Sequence, residues 1–213
     1  ISTNGGITWA PSNTGWYVPT GDRTVTGAII APCPSNPNKL YAYLCGSGTD
    51  LYGYIGVFVS TNAGASWANT NPSNAIGAPY SVPTHSNLMA SNGTTGLQQG
   101  FYDMAIVVNP ANDQQLIAGG TSWYKSTDGG ATWVGLGSYI GGVLSWSHPD
   151  IQCTVAQGSD LWIASDGGLN YSPDFGATHE ARMNGISGAD LWGFDSGWNE
   201  DILVGGRYHN GNM

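Results

Sequence analysis

The fold of this chain is indicated by the stretch Ser126-Thr127-Asp128-Gly129-Gly130-Ala131-Thr132-Trp133, which recurs. Close copies begin at Ser2 and Ser60, and a degenerate copy begins at Ser165 and carries Tyr171 in place of the Trp. The shared pattern is Ser-x-(Asp/Asn)-x-Gly-x-(Thr/Ser)-Trp. A repeated unit of this kind has to be recognised before any other fold assignment is made.

Each position of this octapeptide has a physical reason. An Asp or Asn at the start of a turn accepts hydrogen bonds from later backbone amides, and Gly adopts a positive φ without steric cost. The Thr or Ser and the Trp then resume an extended strand. We therefore predict a hairpin turn, and assign turn-forming roles, not active-site roles, to Ser2, Asn4, Gly6, Trp9, Ser60, Asn62, Gly64, Trp67, Ser126, Asp128, Gly130, Trp133, Ser165, Asp166 and Gly168.

The octapeptide resembles the Asp-box, or bacterial neuraminidase repeat, of β-propellers of the sialidase, xyloglucanase and sortilin type. The resemblance implies a β-propeller fold. It implies little about activity, because Asp-boxes in those families lie on the periphery of the blades, away from the substrate.

Composition agrees with an all-β chain. Of 213 residues, 33 are Gly and 9 are Trp, and only 9% are charged, which fits short strands joined by Gly-rich turns. The net charge is −9 with five Lys plus Arg, so nucleic acid and anionic membrane surfaces are poor partners. No apolar run is long enough to span a membrane. We expect an extracellular or cell-surface protein.

We predict an all-β propeller of four-stranded antiparallel blades. The expected segments are a half blade (1–17), a blade with a long loop (18–99), two blades (100–141 and 142–185) and a half blade (186–213). In the 142–185 blade, Val143–Trp146 is taken as the first strand. The half blades suggest a fragment of a larger propeller of about seven blades, the alternative being a closed ring of four.

A second resemblance covers most of the chain from residue 100 onward. The runs Gly100–Ile106, Asn109-Pro110, Ala118–Gly120 and Trp123–Ser126 are similar to large secreted propeller proteins of Bacteroidetes, often of the type IX secretion class. That group often has a His-Ala-Asp-x-His run where this chain has His148-Pro149-Asp150-Ile151-Gln152. The resemblance implies export and attachment to the cell surface, and no settled activity.

Two carboxylates are the catalytic candidates. Asp103 lies where the innermost strand of its blade is predicted to begin, and Asp150 lies near the start of the next blade. In xyloglucanase-type propellers the catalytic groups are Asp residues near the central cleft, and a glycosidase needs two such groups flanking the bond. The alternative is that each orders the start of a strand. A sialidase is disfavoured, because such enzymes need an arginine cluster and this chain has only Arg23, Arg182 and Arg207.

We expect no cofactor. His148 and Asp150 lack a third ligand at useful spacing for a metal. Asp/Asn-rich turns offer oxygen ligands of the kind that Ca²⁺ takes, without EF-hand spacing. Cys33 and Cys45 lie on successive predicted strands. They either pair as a disulfide, in which case Cys153 has no partner, or stay reduced and buried.

We expect a secreted or cell-surface module with a binding or structural role. Its expected partner is a protein or a carbohydrate, and the module is expected to belong to a larger chain or assembly. The alternative is part of a glycan-degrading glycoside hydrolase of the xyloglucanase-like propeller type. A pair of carboxylates about 5–10 Å apart in one cleft would favour the enzyme.

Overall fold

A computed structural model describes residues 1–19, 21, 24–47, 53–71, 88–89, 99–100, 102–139, 145–184, 191–196, 203–207 and 211–212. Most of the long loop predicted within the second segment therefore lies outside the described residues. The chain divides into two compact units, Ile1–Arg182 and Met183–Met213. In the part of the chain that the structure describes, no helix has the length and hydropathy needed to cross a membrane.

The first unit consists of three antiparallel sheets that follow one another along the chain. Sheet A contains β1 (Thr24–Pro32), β2 (Leu40–Ser47), β3 (Gly53–Ser60) and β4 (Ala68–Asn69). Sheet B contains β5 (Ala105–Asn109), β6 (Asn112–Gly119), β7 (Trp123–Ser126), β8 (Val134–Ser138) and a short parallel β9 (Ser145–Trp146). Sheet C contains β10 (Ile151–Gln157), β11 (Asp160–Ser165), β12 (Gly168–Ser172) and β13 (Glu180–Ala181). The first four strands of each sheet form a simple antiparallel meander, which is the architecture of a propeller blade, so the predicted fold class is confirmed.

The sheets pack face to face through apolar side chains. One core lies between sheets A and B and includes Tyr41, Val57, Leu116 and Trp133. A second lies between sheets B and C, around the fully buried Trp123. The first strands β1, β5 and β10 lie side by side, with β5 in the middle. This order brings together the residues that immediately precede β5 and β10.

The second unit is a three-stranded antiparallel sheet. It consists of β14 (Leu191–Ser196), β15 (Leu203–Arg207) and β16 (Gly211–Asn212) in that order. These strands lie within the segment 186–213 that was predicted to be a half blade.

The octapeptides form one repeated hydrogen-bonded turn. In the copy after β7, Oγ of Ser126 accepts from the backbone N–H of Gly130 at 2.8 Å, and Oδ1 of Asp128 accepts from the N–H of Thr132 at 2.9 Å. The corresponding bonds are present in the copies that begin at Ser2 and Ser60. The fourth and fifth residues of all three copies have a positive φ, which explains the preference for Gly there.

The fourth copy lies seven residues later than the sequence pattern suggested. Ser165, Asp166 and Gly168 belong to the tight turn between β11 and β12 and do not form the octapeptide network. The network occurs instead at Ser172-Pro173-Asp174-Phe175-Gly176-Ala177-Thr178-His179, with the same hydrogen bonds and the same two positive φ angles. This unit follows β12 just as the third copy follows β7.

The error has a structural cause. Val143–Trp146 was predicted to be the first strand of its blade, but Ser145–Trp146 is an extra strand that pairs with β8 of sheet B. The first strand of sheet C is β10, so the turn that closes its third strand comes one hairpin later. In addition, residues 1–19 contain no strand, whereas the sequence suggested that residues 1–10 end in one.

The three cysteines are free thiols. Cys45 lies opposite Gly27 in the β1–β2 register, whereas Cys33 follows the other end of β1, near Lys39. The strand register therefore keeps the two apart, and both are buried as small apolar residues. Cys153 is exposed on β10.

Candidate functional site

The two predicted carboxylates meet in the structure. Asp103 lies two residues before β5 and Asp150 lies immediately before β10. Because β5 and β10 are neighbours, their starting residues converge between sheets B and C. Asp103 is fully buried and Asp150 is nearly so.

One side-chain amide joins the two carboxyl groups. Nε2 of Gln99 donates to Oδ1 of Asp150 at 2.9 Å and lies 3.4 Å from Oδ2 of Asp103. Because both contact the same amide, the carboxyl groups of Asp103 and Asp150 are neighbours. Two carboxyl oxygens that come into direct contact need a proton between them.

The surroundings favour that proton. Burial raises the pKa of Asp103 to about 8, and the neighbouring Asp150 and the charge of Asp166 act in the same direction. These effects favour the neutral, protonated form of Asp103 at neutral pH. A single proton shared by the pair would leave it with one negative charge.

The backbone holds Asp150 in place at this junction. Asp150 has a φ of 68°, an uncommon conformation for a residue other than Gly. The N–H of the next residue, Ile151, donates to the carbonyl of Gly120 in sheet B at 2.8 Å. The turn of Asp150 is thus tied to both sheets, and its side chain is directed towards Asp103.

A polar surface lies above the buried pair. The hydroxyl of Tyr102 donates to Oδ2 of Asp166 at 3.1 Å, and Nε2 of Gln152 donates to Oδ1 of Asp166 at 2.9 Å. The Tyr102 ring and the Gln152 side chain are exposed, and Asp166 is half-buried. Asp166 entered the prediction only as part of a turn, and Gln99, Tyr102 and Gln152 were not predicted at all. Only their proximity in sequence to Asp103 and Asp150 could have suggested them.

The other predicted groups do not form a site. Nδ1 of His148 donates to the carbonyl of Pro149 at 3.0 Å, and its ring packs against Gly167. Within the described ranges, no three His, Cys, Asp or Glu side chains are arranged to hold a metal ion.

A separate groove of about 400 Å³ lies between the first and second octapeptide turns. Trp9, Trp16 and Trp67 contribute to its walls, and its polar side chains are Ser12 and Asn13. Ser12 is already engaged with the carbonyl of Gly64. The groove therefore offers few directional groups for orienting a ligand, in contrast to the surface around Asp166.

No family model and no curated protein matches this chain. Among solved structures, it resembles a GH74 enzyme of Niastella koreensis, with 23% identity over 71% of this chain and 22% of that chain and a TM-score of 0.43. An ancestral GH74 enzyme is 17% identical over 86% of this chain and 22% of that chain, with a TM-score of 0.42. YCF48 from Cyanidioschyzon merolae is 11% identical over 89% of this chain and 61% of that chain, with a TM-score of 0.39. The chain thus spans about a fifth of each GH74 structure, and these values are too low to transfer an activity.

Proposed function

We propose that this chain belongs to a secreted or cell-surface β-propeller that binds a neutral glycan without cleaving it. The observation that carries the proposal is the exposed Tyr102 ring beside a carboxylate and an amide, Asp166 and Gln152. An aromatic face packs against the C–H face of a sugar ring, and carboxylate and amide groups hydrogen-bond to its hydroxyls.

The charge balance supports a neutral ligand. With a net charge of −9 and five Lys plus Arg, the chain repels uronic acids and sulfated sugars. Neutral hydroxyls, in contrast, are good donors to the carboxylate of Asp166. Export and surface attachment rest on the similarity of residues 100–152 to secreted propellers, and proteolysis of intact cells of the source organism tests them.

The carboxyl pair supports binding over hydrolysis. A glycosidase places its carboxyl groups about 5–10 Å apart, on either side of the bond that it cleaves. Asp103 is fully buried, and both carboxyl groups contact the same side-chain amide of Gln99, so a sugar has no access to the space between them.

Hydrolysis remains the second candidate function, on one observation. The raised pKa of Asp103 keeps it protonated at neutral pH, as a general acid has to be. An assay for released reducing ends on the same polysaccharides separates the two functions: binding without release supports the first, and release that Asp103→Asn abolishes supports the second.

Affinity gel electrophoresis in soluble neutral polysaccharides tests the binding directly. We use xyloglucan, galactomannan and mixed-linkage β-glucan as probes, and expect retardation in at least one. Tyr102→Ala should weaken the affinity about tenfold, which corresponds to about 1.4 kcal/mol. Trp162→Ala is the matched control, because Trp162 is 40% exposed, Tyr102 is 37% exposed, and Trp162 lies on β11 outside this cluster.

Unretarded migration of the folded wild-type protein in every gel would overturn the glycan ligand and would favour a protein partner. Equal loss of affinity in Tyr102→Ala and Trp162→Ala would place the ligand elsewhere on the surface.

A further inference from the structure

Where β5 and β10 begin, sheets B and C of the first unit contact each other through a pair of acidic side chains. Asp103 belongs to the segment that leads into β5 of sheet B, and Asp150 to the segment that leads into β10 of sheet C. Gln99, which precedes Asp103 on the sheet B side, contacts both carboxyl groups. The junction therefore joins sheets B and C through two carboxyl groups, which repel each other when both are ionised.

Among the residues that the structure describes, no positively charged group acts on Asp103. From sheet C, the groups that act on it are the carboxylates of Asp150 and Asp166. From sheet A, the buried hydroxyl of Tyr43 faces the same region, and burial raises the pKa of that hydroxyl well above its ordinary value, so Tyr43 stays neutral. His148, on the same segment as Asp150, packs its ring on Gly167.

One oxygen of Asp103 has no other partner. Oδ1 of Asp103 is buried and accepts no hydrogen bond from any group in the described part of the chain. An ionised Asp103 would thus be a buried charge next to a like charge, with only the long contact to Gln99 in compensation. The neutral acid avoids this cost.

We propose that Asp103 and Asp150 form a pH-sensitive clasp between sheets B and C, which is closed while the two carboxyl groups share one proton and opens when that proton is lost. This inference is independent of any ligand at Tyr102 and Asp166. It concerns the stability of the junction itself.

Linkage determines the direction of the effect. The folded clasp holds the proton with a pKa of about 8, against 3.8 for an ordinary Asp. The stabilisation is therefore complete below the ordinary value and is lost as the pH rises through about 8. Within that window, the opening equilibrium shifts towards the open form by up to about tenfold for each pH unit.

Native-state hydrogen exchange tests the clasp. We measure protection factors, corrected for intrinsic exchange, for peptides spanning residues 102–109 and 150–157 between about pH 6.5 and pH 9. This range lies above the ordinary pKa of His179, whose effect on stability falls at lower pH. In the wild type, protection should fall with rising pH, by up to about tenfold per unit. In Asp103→Asn, the amide still donates to Asp150 but cannot ionise, so the profile should be flat.

Asp160→Asn is the matched control, because Asp160 is an exposed Asp of sheet C that bonds to Tyr171 and lies outside the clasp. It should keep the wild-type slope. A wild-type profile that is flat, or equally steep in Asp103→Asn, would overturn the proposal.

A spectroscopic measurement keeps the test independent of how well the variant folds. Carbon-13 chemical shifts of the Asp carboxyl groups in the wild type should show one carboxyl group still protonated at about pH 7. Asp150→Asn removes the neighbouring charge, and the titration of that group should move to lower pH. If all the Asp carboxyl groups of the folded protein are ionised at neutral pH, there is no shared proton and the clasp does not exist.

Discussion

His179 occupies, in the turn after β12, the position that Trp133 occupies in the turn after β7. Nε1 of Trp133 donates to the carbonyl of Gly130 at 3.0 Å, which closes its turn. The His179 ring packs instead edge-on against Trp123, with ring centroids 4.6 Å apart and an interplanar angle of 71°. One repeated turn therefore carries two different rings, and only one of them titrates.

This difference predicts a loss of stability in acid. Burial lowers the pKa of His179 below its ordinary 6.5, against a smaller opposing effect of the Leu136 backbone. The folded state therefore binds this proton less well than the unfolded state does. The stabilisation is complete above the ordinary value and is lost as the pH falls below it, by at most about 1.4 kcal/mol per unit.

Urea unfolding between about pH 7 and pH 5 measures the effect. The experiment is best done in the Asp103→Asn variant. In the wild type, the clasp changes the free energy of unfolding with pH in the opposite direction over the same range. His179→Phe keeps a ring against Trp123 and should remove the slope. An unchanged slope in that variant would assign the acid sensitivity to another group.

Ser126→Ala should destabilise the protein by about 2 kcal/mol, because it leaves buried polar groups without a partner. Oγ of Ser126 accepts from two backbone N–H groups and donates to Asp128, and the residue is almost fully buried. Ser2→Ala removes the same bonds from the first copy, where the turn is exposed to water. Its cost should be below about 1 kcal/mol in urea unfolding, and equal costs would mean that burial does not govern these bonds.

Ala63→Gly should stabilise the protein by about 0.5–1 kcal/mol. Ala63 has a φ of 56°, and the equivalent positions of the first and third copies are Gly5 and Gly129. Gly64→Ala is the reverse change at the next position, where φ is 87°, and it should destabilise. Thermal unfolding compares the two, and a lower melting temperature for Ala63→Gly would contradict the strain argument.

Gly137→Ala should be among the most damaging single changes in sheet B. A Cβ at this position would overlap the indole of Trp123, which is fully buried and donates to Ser147. We expect the free energy of unfolding to fall by about 3 kcal/mol or more. The Trp fluorescence should also shift away from that of a buried indole. Gly158→Ala serves as control, since its φ is 60° with nothing within 4 Å, and should cost only about 1 kcal/mol of backbone strain.

The fold was predictable from local patterns, and the errors arose where a pattern was incomplete. The all-β class and most strands followed from Gly-rich turns and alternating apolar residues. The fourth octapeptide was misplaced because Phe175 and His179 replace the usual Gly and Trp, although Ser172, Asp174, Gly176 and Thr178 all fit. The sequence left open whether Cys33 and Cys45 pair or stay reduced. The structure has free thiols, because strand register, which sequence spacing does not reveal, places the two at opposite ends of β1.

The candidate site was predictable only in part. Asp103 and Asp150 were identified separately, each from its position before a strand. Their proximity depends on β5 and β10 being neighbours, and the contribution of Gln99 depends on the path of the chain before Asp103.

By itself, the sequence determined the octapeptide turns, because Ser, Asp or Asn, Gly and Thr form their hydrogen bonds within eight residues of one another and need no distant partner. Only the tertiary structure decided that two carboxyl groups from different sheets share one proton. Burial and a neighbouring like charge produce that state, and both exist only after sheets B and C have packed together.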